Sequence, residues 1–273
     1  MPQFLWILPI GGSEGKSVDL QAKIQDLDSS QLRELASQHE SLHWLAFCEN
    51  YGDSVNTDLQ QLLANLSLFT EIRSEKRIYL FCKRIFDVLI VLAFFPLLLP
   101  LFLLIAFAIK IDSPGPVLFK QRRVGRNFGL FQIYKFRTMV VGAERTKPFL
   151  ENEMTGALFK VRQDSRLTRV GSILRRFSLD ELPQLFNVLK GSMSLVGPRP
   201  LTLEDTSTIG YEHYERFAVL PGLTGYWQAT IRLSKDGRQK IALDAEYIGK
   251  MGFGFDLYLL LKTLRQLLTE RGV

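Results

Sequence analysis

Ser178-Leu-Asp-Glu-Leu-Pro-Gln-Leu-Phe-Asn-Val-Leu-Lys-Gly-Ser-Met-Ser-Leu-Val-Gly-Pro-Arg-Pro200 sets two adjacent carboxylates, Asp180 and Glu181, ahead of an apolar-periodic run and an arginine between two prolines behind it. Leu182, Leu185, Phe186 and Leu189 recur at i, i+3, i+4 and i+7, which predicts a short amphipathic helix with these four side chains buried, and Gly191 stands where such a helix stops. The start reads in two ways. Ser178 with Glu181 fits a capping box, but that frame puts Pro183 where the helix needs an N–H. With Asp180 as N-cap, Pro183 falls among donors that have no intrahelical partner, and this frame is preferred. In both, the acids occupy the first turn, where free peptide N–H groups favour negative charge, so each is expected to stay ionised.

Most first-turn acids do no more than cap a helix. Here Arg175 and Arg176 lie just upstream and Arg199 downstream, a positive charge beyond what a cap requires. Gly197-Pro198-Arg199-Pro200 restricts the backbone on both sides of one guanidinium, which suits bidentate contact with phosphate.

Charge divides the chain of 273 residues near residue 75: residues 1–75 carry a balance of −7 and residues 76–273 one of +13. An apolar content of 47% is ample for a core. A basic surface attracts nucleic acid, anionic lipid or phosphorylated small molecules, and charge alone does not choose among them. Cys48 and Cys82 are too few for a disulfide framework and lack metal-ligand spacing, which favours a reducing compartment. Phe4 to Ile10 is a short apolar run without a basic flank, so no cleavable signal is expected.

Residues 1–75 read as an acidic helical segment. One helix is expected from Ser29-Ser30 to about Phe47, with Leu32, Leu35, His43, Trp44 and Phe47 packing, and another from Thr57 through Leu66; no chemical motif accompanies them. Val88 to Ile109 holds no charge, and at ~1.5 Å per residue its ~33 Å would cross a hydrocarbon core. Pro96 and Pro100 bend it, and both flanks are basic (Lys76, Arg77, Lys83 and Arg84; Lys110, Lys120, Arg122, Arg123 and Arg126). The positive-inside rule then puts both ends on the cytoplasmic face, as in a kinked hairpin that enters and leaves one leaflet. Asp112 to Pro116 is a turn back to water, and Phe128 to Met139 reads as turn and strand with Lys135 and Arg137 on one face. A basic helix over Thr168 to Phe177, a polar one over Tyr211 to Ala218 and an apolar, interfacial one over Phe253 to Leu268 complete the pass.

Together these features suggest a phosphorylated lipid and a phosphorylated soluble substrate meeting at the membrane. Arginines would neutralise a diphosphate, Asp180 can attack phosphorus to form an acyl phosphate, and Glu181 can help hold Mg²⁺ or assist proton transfer. No P-loop, dinucleotide-binding or zinc spacing is present.

The blocks Lys83-Arg84-Ile85-Phe86-Asp87, Asp112 to Pro116, Tyr134 to Met139, Ser178 to Pro200 and Pro221 to Gly225 resemble, in that order, the bacterial sugar transferases, the monotopic phosphoglycosyl transferases, from residue 76 to about residue 268. The resemblance implies an α+β, mainly helical, membrane-associated domain over 76–273, with a kinked re-entrant helix at 88–109, interfacial amphipathic helices and few short strands. It implies transfer of a sugar 1-phosphate from a UDP-sugar to undecaprenyl phosphate with release of UMP, at the start of exopolysaccharide, O-antigen or capsule assembly, on the cytoplasmic face of the bacterial inner membrane. It further implies Mg²⁺, held by Asp180 and Glu181, and a covalent aspartyl intermediate on Asp180 with Glu181 as dyad partner. Phosphate and nucleotide contacts would fall on Arg175 and Arg199, and more loosely on Lys135, Arg137 and Arg232. Where the family kinks its membrane helix at Ser-Pro, this chain has Leu99-Pro100 and an additional Pro96, and Gln228 to Ser234 departs from the family's polar turn. The bilayer is an expected partner, a homo-oligomer is left open, and nucleic acid is not expected. A catalytically silent scaffold for a polysaccharide assembly complex is the rival reading.

Overall fold

The computed structural model describes residues 68–149, 152, 153, 155 and 164–269, and the helices expected before residue 67, with His43, lie outside these. The architecture is organised on one long helix, α1 (Arg77–Asp112), helical through both Pro96 and Pro100. At ~1.5 Å per residue it is ~54 Å long. Leu92, Phe94, Leu97, Leu103, Leu104 and Phe107 are all more than half exposed. Among the described residues little covers this apolar helix, unlike the core helix of a soluble domain, and its composition and length suit a bilayer.

Only one stripe of α1 is covered, and it is covered along its length by a single body. At the amino end Lys83 and Asp87 turn inward: Lys83 Nζ lies 2.6 Å from Asp256 Oδ2, which also accepts from Tyr79 at 2.7 Å. Asp87 Oδ2 accepts from Ser194 Oγ at 2.6 Å. At the carboxyl end Ile105 and Ile109 pack with Phe136 and Leu174, and Asp112 Oδ2 accepts from the Val170 N–H at 3.0 Å.

An antiparallel hairpin follows, β1 (Leu118–Val124) paired with β2 (Leu130–Phe136) in the register Phe119↔Lys135 and Arg123↔Phe131. Then come α2 (Arg169–Arg176), capped by the Thr168 hydroxyl, a 3₁₀ turn over Leu179–Gln184, and α3 (Leu185–Lys190), which ends on Gly191 at φ 82°. The 3₁₀ turn lies against β2 and α2. A parallel pair, β3 (Ser194–Val196) and β4 (Gly222–Thr224), brackets α4 (Leu203–Ser207) and a 3₁₀ helix over Tyr211–Ala218. Three helices close the chain: α5 (Tyr226–Thr230), α6 (Gly237–Lys250) and α7 (Phe253–Thr269), the last with Leu257, Leu261 and Leu264 exposed and Leu259 fully buried. The fold is thus mostly helical with four short strands among the described residues, as expected.

The stretch 178–200 is built differently from its sequence pattern in two respects. Neither Ser178 nor Asp180 caps an α-helix: Ser178 sits in the left-handed region at φ 56°, and the two acids occupy a 3₁₀ turn that includes Pro183. The buried set is also shifted. Leu185 is buried as expected, but with Gln184, Asn187 and Val188, while Leu182, Phe186 and Leu189 are half covered. Asn187 is inside because its amide completes the hairpin backbone, accepting from Tyr134 N at 3.1 Å and donating to Gln132 O at 2.6 Å. Phe186 meets α1 instead, edge-on to Phe95 at 5.1 Å.

Phe69, upstream of the charge change at residue 75, is fully buried against Phe128, so the described part of the acidic segment already belongs to the core.

Candidate active site

Three elements bring charge to the 3₁₀ turn. β2 presents Lys135, whose Nζ donates to Glu181 Oε1 at 2.9 Å, and the Gly-Pro-Arg-Pro corner presents Arg199, which donates to the same oxygen at 3.2 Å. Burial alone would push the Glu181 carboxyl up; the two cations overcome it and hold that group well below the usual carboxylate range. Glu181 in turn raises the Arg199 guanidinium, while burial lowers Lys135.

Asp180 is different. Its side chain is 8% exposed, and among the described residues no hydrogen bond or ion pair engages its carboxylate. Burial pushes its carboxyl up, Lys135 pulls it down, the neighbouring Glu181 pushes it up again, and Arg175 and Arg199 act with Lys135. The balance is upward, so the two acids, both expected to be ionised, differ: the cations close on Glu181 and leave Asp180 the less acidic of the two. The result is a desolvated carboxylate with free lone pairs in a field of positive charge, the arrangement a nucleophile requires.

Arg175, on α2, is oriented by Thr138 Oγ1 at 3.1 Å and lies 3.9 Å from Asp164 Oδ2, itself paired with Arg166 at 2.7 Å. Arg232 donates to the Ser178 hydroxyl at the mouth of the turn. Lys135 and Arg199 therefore meet Glu181, Arg175 adds its charge beside Asp180, and Arg232 reaches the same turn only at Ser178. Arg137 does not join them. Its guanidinium donates to Pro114 O at 2.8 Å and to Ser113 O and Oγ at 2.6 and 2.8 Å, so it fastens the turn that follows α1 rather than facing the turn that carries the acids.

The sequence reading placed Arg123 only in a basic flank; it is half-buried, donating to Pro200 O at 3.2 Å and to Gln121 Oε1 at 2.6 Å. Burial and the charge of Arg199 lower it to about 10. Strand register would have found it: in the antiparallel pair, Gln121 and Arg123 lie on the same face as Lys135. Asp164 and the fully buried Asp244 were missed as well, since isolated acids carry no spacing signal.

The corner that carries Arg199 is held by close backbone approach. Gly222 N donates to Pro198 O and Gly197 N to Thr224 O, both at 2.9 Å, and a Cβ on Gly222 would fall 2.1 Å from Gly197 N. Only glycine fits.

Among the described residues no group of three metal-ligating side chains occurs, but Asp180 is unengaged and every contact to Glu181 uses one oxygen, Oε1. Hard carboxylate oxygens in this number fit a magnesium ion that takes its remaining ligands from phosphate and water.

Residues 78–270 match the model of a family described as bacterial sugar transferase. Among similar proteins, the galactosyl transferase CpsE of Streptococcus agalactiae is 43% identical over 161 residues, 58% of this chain and 36% of that protein. The UDP-N-acetylgalactosamine-undecaprenyl-phosphate N-acetylgalactosaminephosphotransferase of Aeromonas hydrophila is 41% identical over 201 residues, 71% of this chain and 45% of that protein. The UDP-glucose:undecaprenyl-phosphate glucose-1-phosphate transferase of Caulobacter vibrioides is 44% identical over 197 residues, 68% of this chain and 70% of that protein. The matched part of this chain thus spans less than half the length of two of these relatives.

Proposed function

Because the chain belongs to the bacterial sugar transferase family, we propose that it moves a sugar 1-phosphate from a UDP-sugar to undecaprenyl phosphate at the cytoplasmic face of the inner membrane. The observation that carries this reading is the unengaged Asp180 beside a Glu181 clamped by Lys135 and Arg199.

In the first step an Asp180 oxygen attacks the phosphorus that bears the sugar. The bond from that phosphorus to the bridging oxygen breaks, UMP leaves with the electron pair, and an acyl phosphate remains on Asp180. In the second, a phosphate oxygen of the lipid attacks the same phosphorus, the acyl bond breaks, and Asp180 returns as carboxylate with undecaprenyl diphospho-sugar as product. Arg199, Arg175 and Arg232 bind and orient the diphosphate and offset charge that builds on the bridging oxygen. Lys135 and Arg199 keep Glu181 ionised and in place. A magnesium ion, held by free oxygens of Asp180 and Glu181 with the diphosphate, would supply further charge neutralisation.

The membrane arrangement supports the lipid substrate. Both ends of α1 are tied to the same body, Lys83 to Asp256 and Asp112 to Val170, as a helix that dips into one leaflet and returns requires. The exposed apolar side chains of α7 would lie on the bilayer beside it.

The test is UMP release from a panel of UDP-sugars by the full chain with undecaprenyl phosphate and Mg²⁺. Asp180→Asn should abolish release, and intact-mass analysis of the unaltered chain without acceptor should reveal one phosphosugar per chain. Undiminished release by Asp180→Asn would overturn the assignment.

A further inference from the structure

Helix α6 carries two charged residues one turn apart, Lys240 and Asp244, at 2% and 0% exposure. Neither touches the acidic pair. Each instead grips the main chain of an arginine at the turn that carries the pair: Asp244 holds Arg199, which donates to Glu181, and Lys240 holds Arg232, which donates to Ser178. Asp244 Oδ2 accepts from Arg199 N at 3.2 Å, from Trp227 Nε1 at 3.2 Å and from Arg216 Nη2 at 2.6 Å. The same Arg216 nitrogen donates to Arg199 O at 2.6 Å, so both polar main-chain atoms of Arg199 are tied to one buried ion pair. Lys240 Nζ donates to Arg232 O at 3.2 Å and lies 4.7 Å from the centre of the Trp227 ring, within reach of which the Arg199 guanidinium also sits at 5.8 Å.

Stability does not account for this stripe. Burying an ion pair costs desolvation that its attraction only partly offsets, and apolar residues of like size often serve a core better. Here, moreover, Asp244 Oδ1 and Arg216 Nε are buried without a partner among the described residues, a cost left standing. What the stripe does achieve is direction. The peptide N–H and C=O of Arg199 define the corner from which its side chain reaches Glu181, and the carbonyl of Arg232 defines the turn from which its guanidinium reaches Ser178.

We propose that Lys240 and Asp244 are positioning residues that fix the main chains of Arg232 and Arg199 so that both guanidinium groups meet the donor's diphosphate. The proposal rests on the function given above, and its test separates the two. UDP, which carries the diphosphate but no sugar, serves as probe, with its Kd measured on the detergent-solubilised full chain in the presence of Mg²⁺. Asp244→Asn keeps the shape and one acceptor oxygen but loses the charge that holds Arg216; Lys240→Met keeps the stem and loses the donor.

Each variant should weaken UDP roughly 10- to 100-fold, the scale of a displaced binding group. The decisive reading is the second background. If Asp244 acts through Arg199, Asp244→Asn should change Kd by less than about 2-fold in an Arg199→Ala chain, and Lys240→Met likewise in Arg232→Ala. Equal losses in both backgrounds would reveal a general structural role and overturn the proposal. Should Asp244→Asn not fold, the Lys240 and Arg232 pair decides alone. If the unaltered chain binds no UDP, the proposed function falls and the positioning role with it; binding with additive losses removes the positioning role only.

Discussion

Asp180 and Glu181 are neighbours of the same chemistry, and what separates them is which one the cations reach. Lys135 and Arg199 close on Glu181 Oε1 and leave Asp180 desolvated. A carboxylate attacks only when ionised, so activity should fail as pH falls through the raised Asp180 value, and the acid limb should lie above the ordinary 3.8. Removing a cation disfavours the charged form and removing an anion favours it. Lys135→Met should therefore move the acid limb of kcat/KM to higher pH and Glu181→Gln should move it lower, as initial rates of UMP release across pH would reveal. A limb that stays put in both variants would show that another group sets it. Stability at Glu181 also falls with pH, but in a lower window: its contribution is complete above the usual glutamate range and is lost only as pH falls toward its depressed value, which denaturation midpoints of Glu181→Gln against the unaltered chain would record. The acids, Arg175 and Arg199 were legible because they crowd into one stretch of 25 residues. Arg123, Asp164 and Asp244 were not, since each reaches the site through folding that joins distant segments, and a lone charged residue in sequence looks the same whether it faces water or a guanidinium.

At the scale of elements, the apolar pattern located α7 and the uncharged centre of α1, which runs on to Arg77 and Asp112, while α2 was read from its basic residues. It misjudged α3, where the residue that must be inside, Asn187, is polar and earns its burial by completing the backbone of β2. It also read β2 without β1, because Lys120, Arg122 and Arg123 look like a membrane flank until the register sets Arg123 inward. The seat of α2 makes a further demand no pattern announces: the Thr138 carbonyl lies against Gly171, and a Cβ there would come within 2.0 Å of that oxygen. Gly171→Ala should push α2 off the strand, cost about 1–3 kcal/mol by overpacking, and lower turnover because Arg175 travels with the helix. Denaturant titration in detergent and UMP release measure the two effects; a loss of turnover without loss of stability would show that Arg175 is sensitive to smaller shifts than packing registers.

For the molecule as a whole, the question is how a domain rich in basic residues holds a helix long and apolar enough to cross a bilayer. The answer lies in the polar join at the amino end of α1, where Lys83 Nζ, Tyr79 and Tyr247 all donate to Asp256. Asp256→Ala would leave buried Lys83 with only the more distant Asp87 carboxylate, 3.9 Å away, which should cost about 3 kcal/mol and loosen α1 from α7. The same join makes a topological prediction. Ile78, near the start of α1, is 81% exposed, and Ile111, at its end, is 71% exposed. If the helix crossed the bilayer, cysteines at the two positions would face opposite compartments; if it returns to the leaflet it entered, as two fastened ends require, they would face one. In a chain with Cys48 and Cys82 replaced by serine, a membrane-impermeant maleimide should therefore label Ile78→Cys and Ile111→Cys alike in inverted vesicles and neither in intact spheroplasts. Labelling of one position from each side would mean that the helix spans. The ion pair at Lys83 and the Asp112 contact to Val170 could not then be formed in the same molecule, because the body that supplies both partners cannot lie on two sides of a membrane.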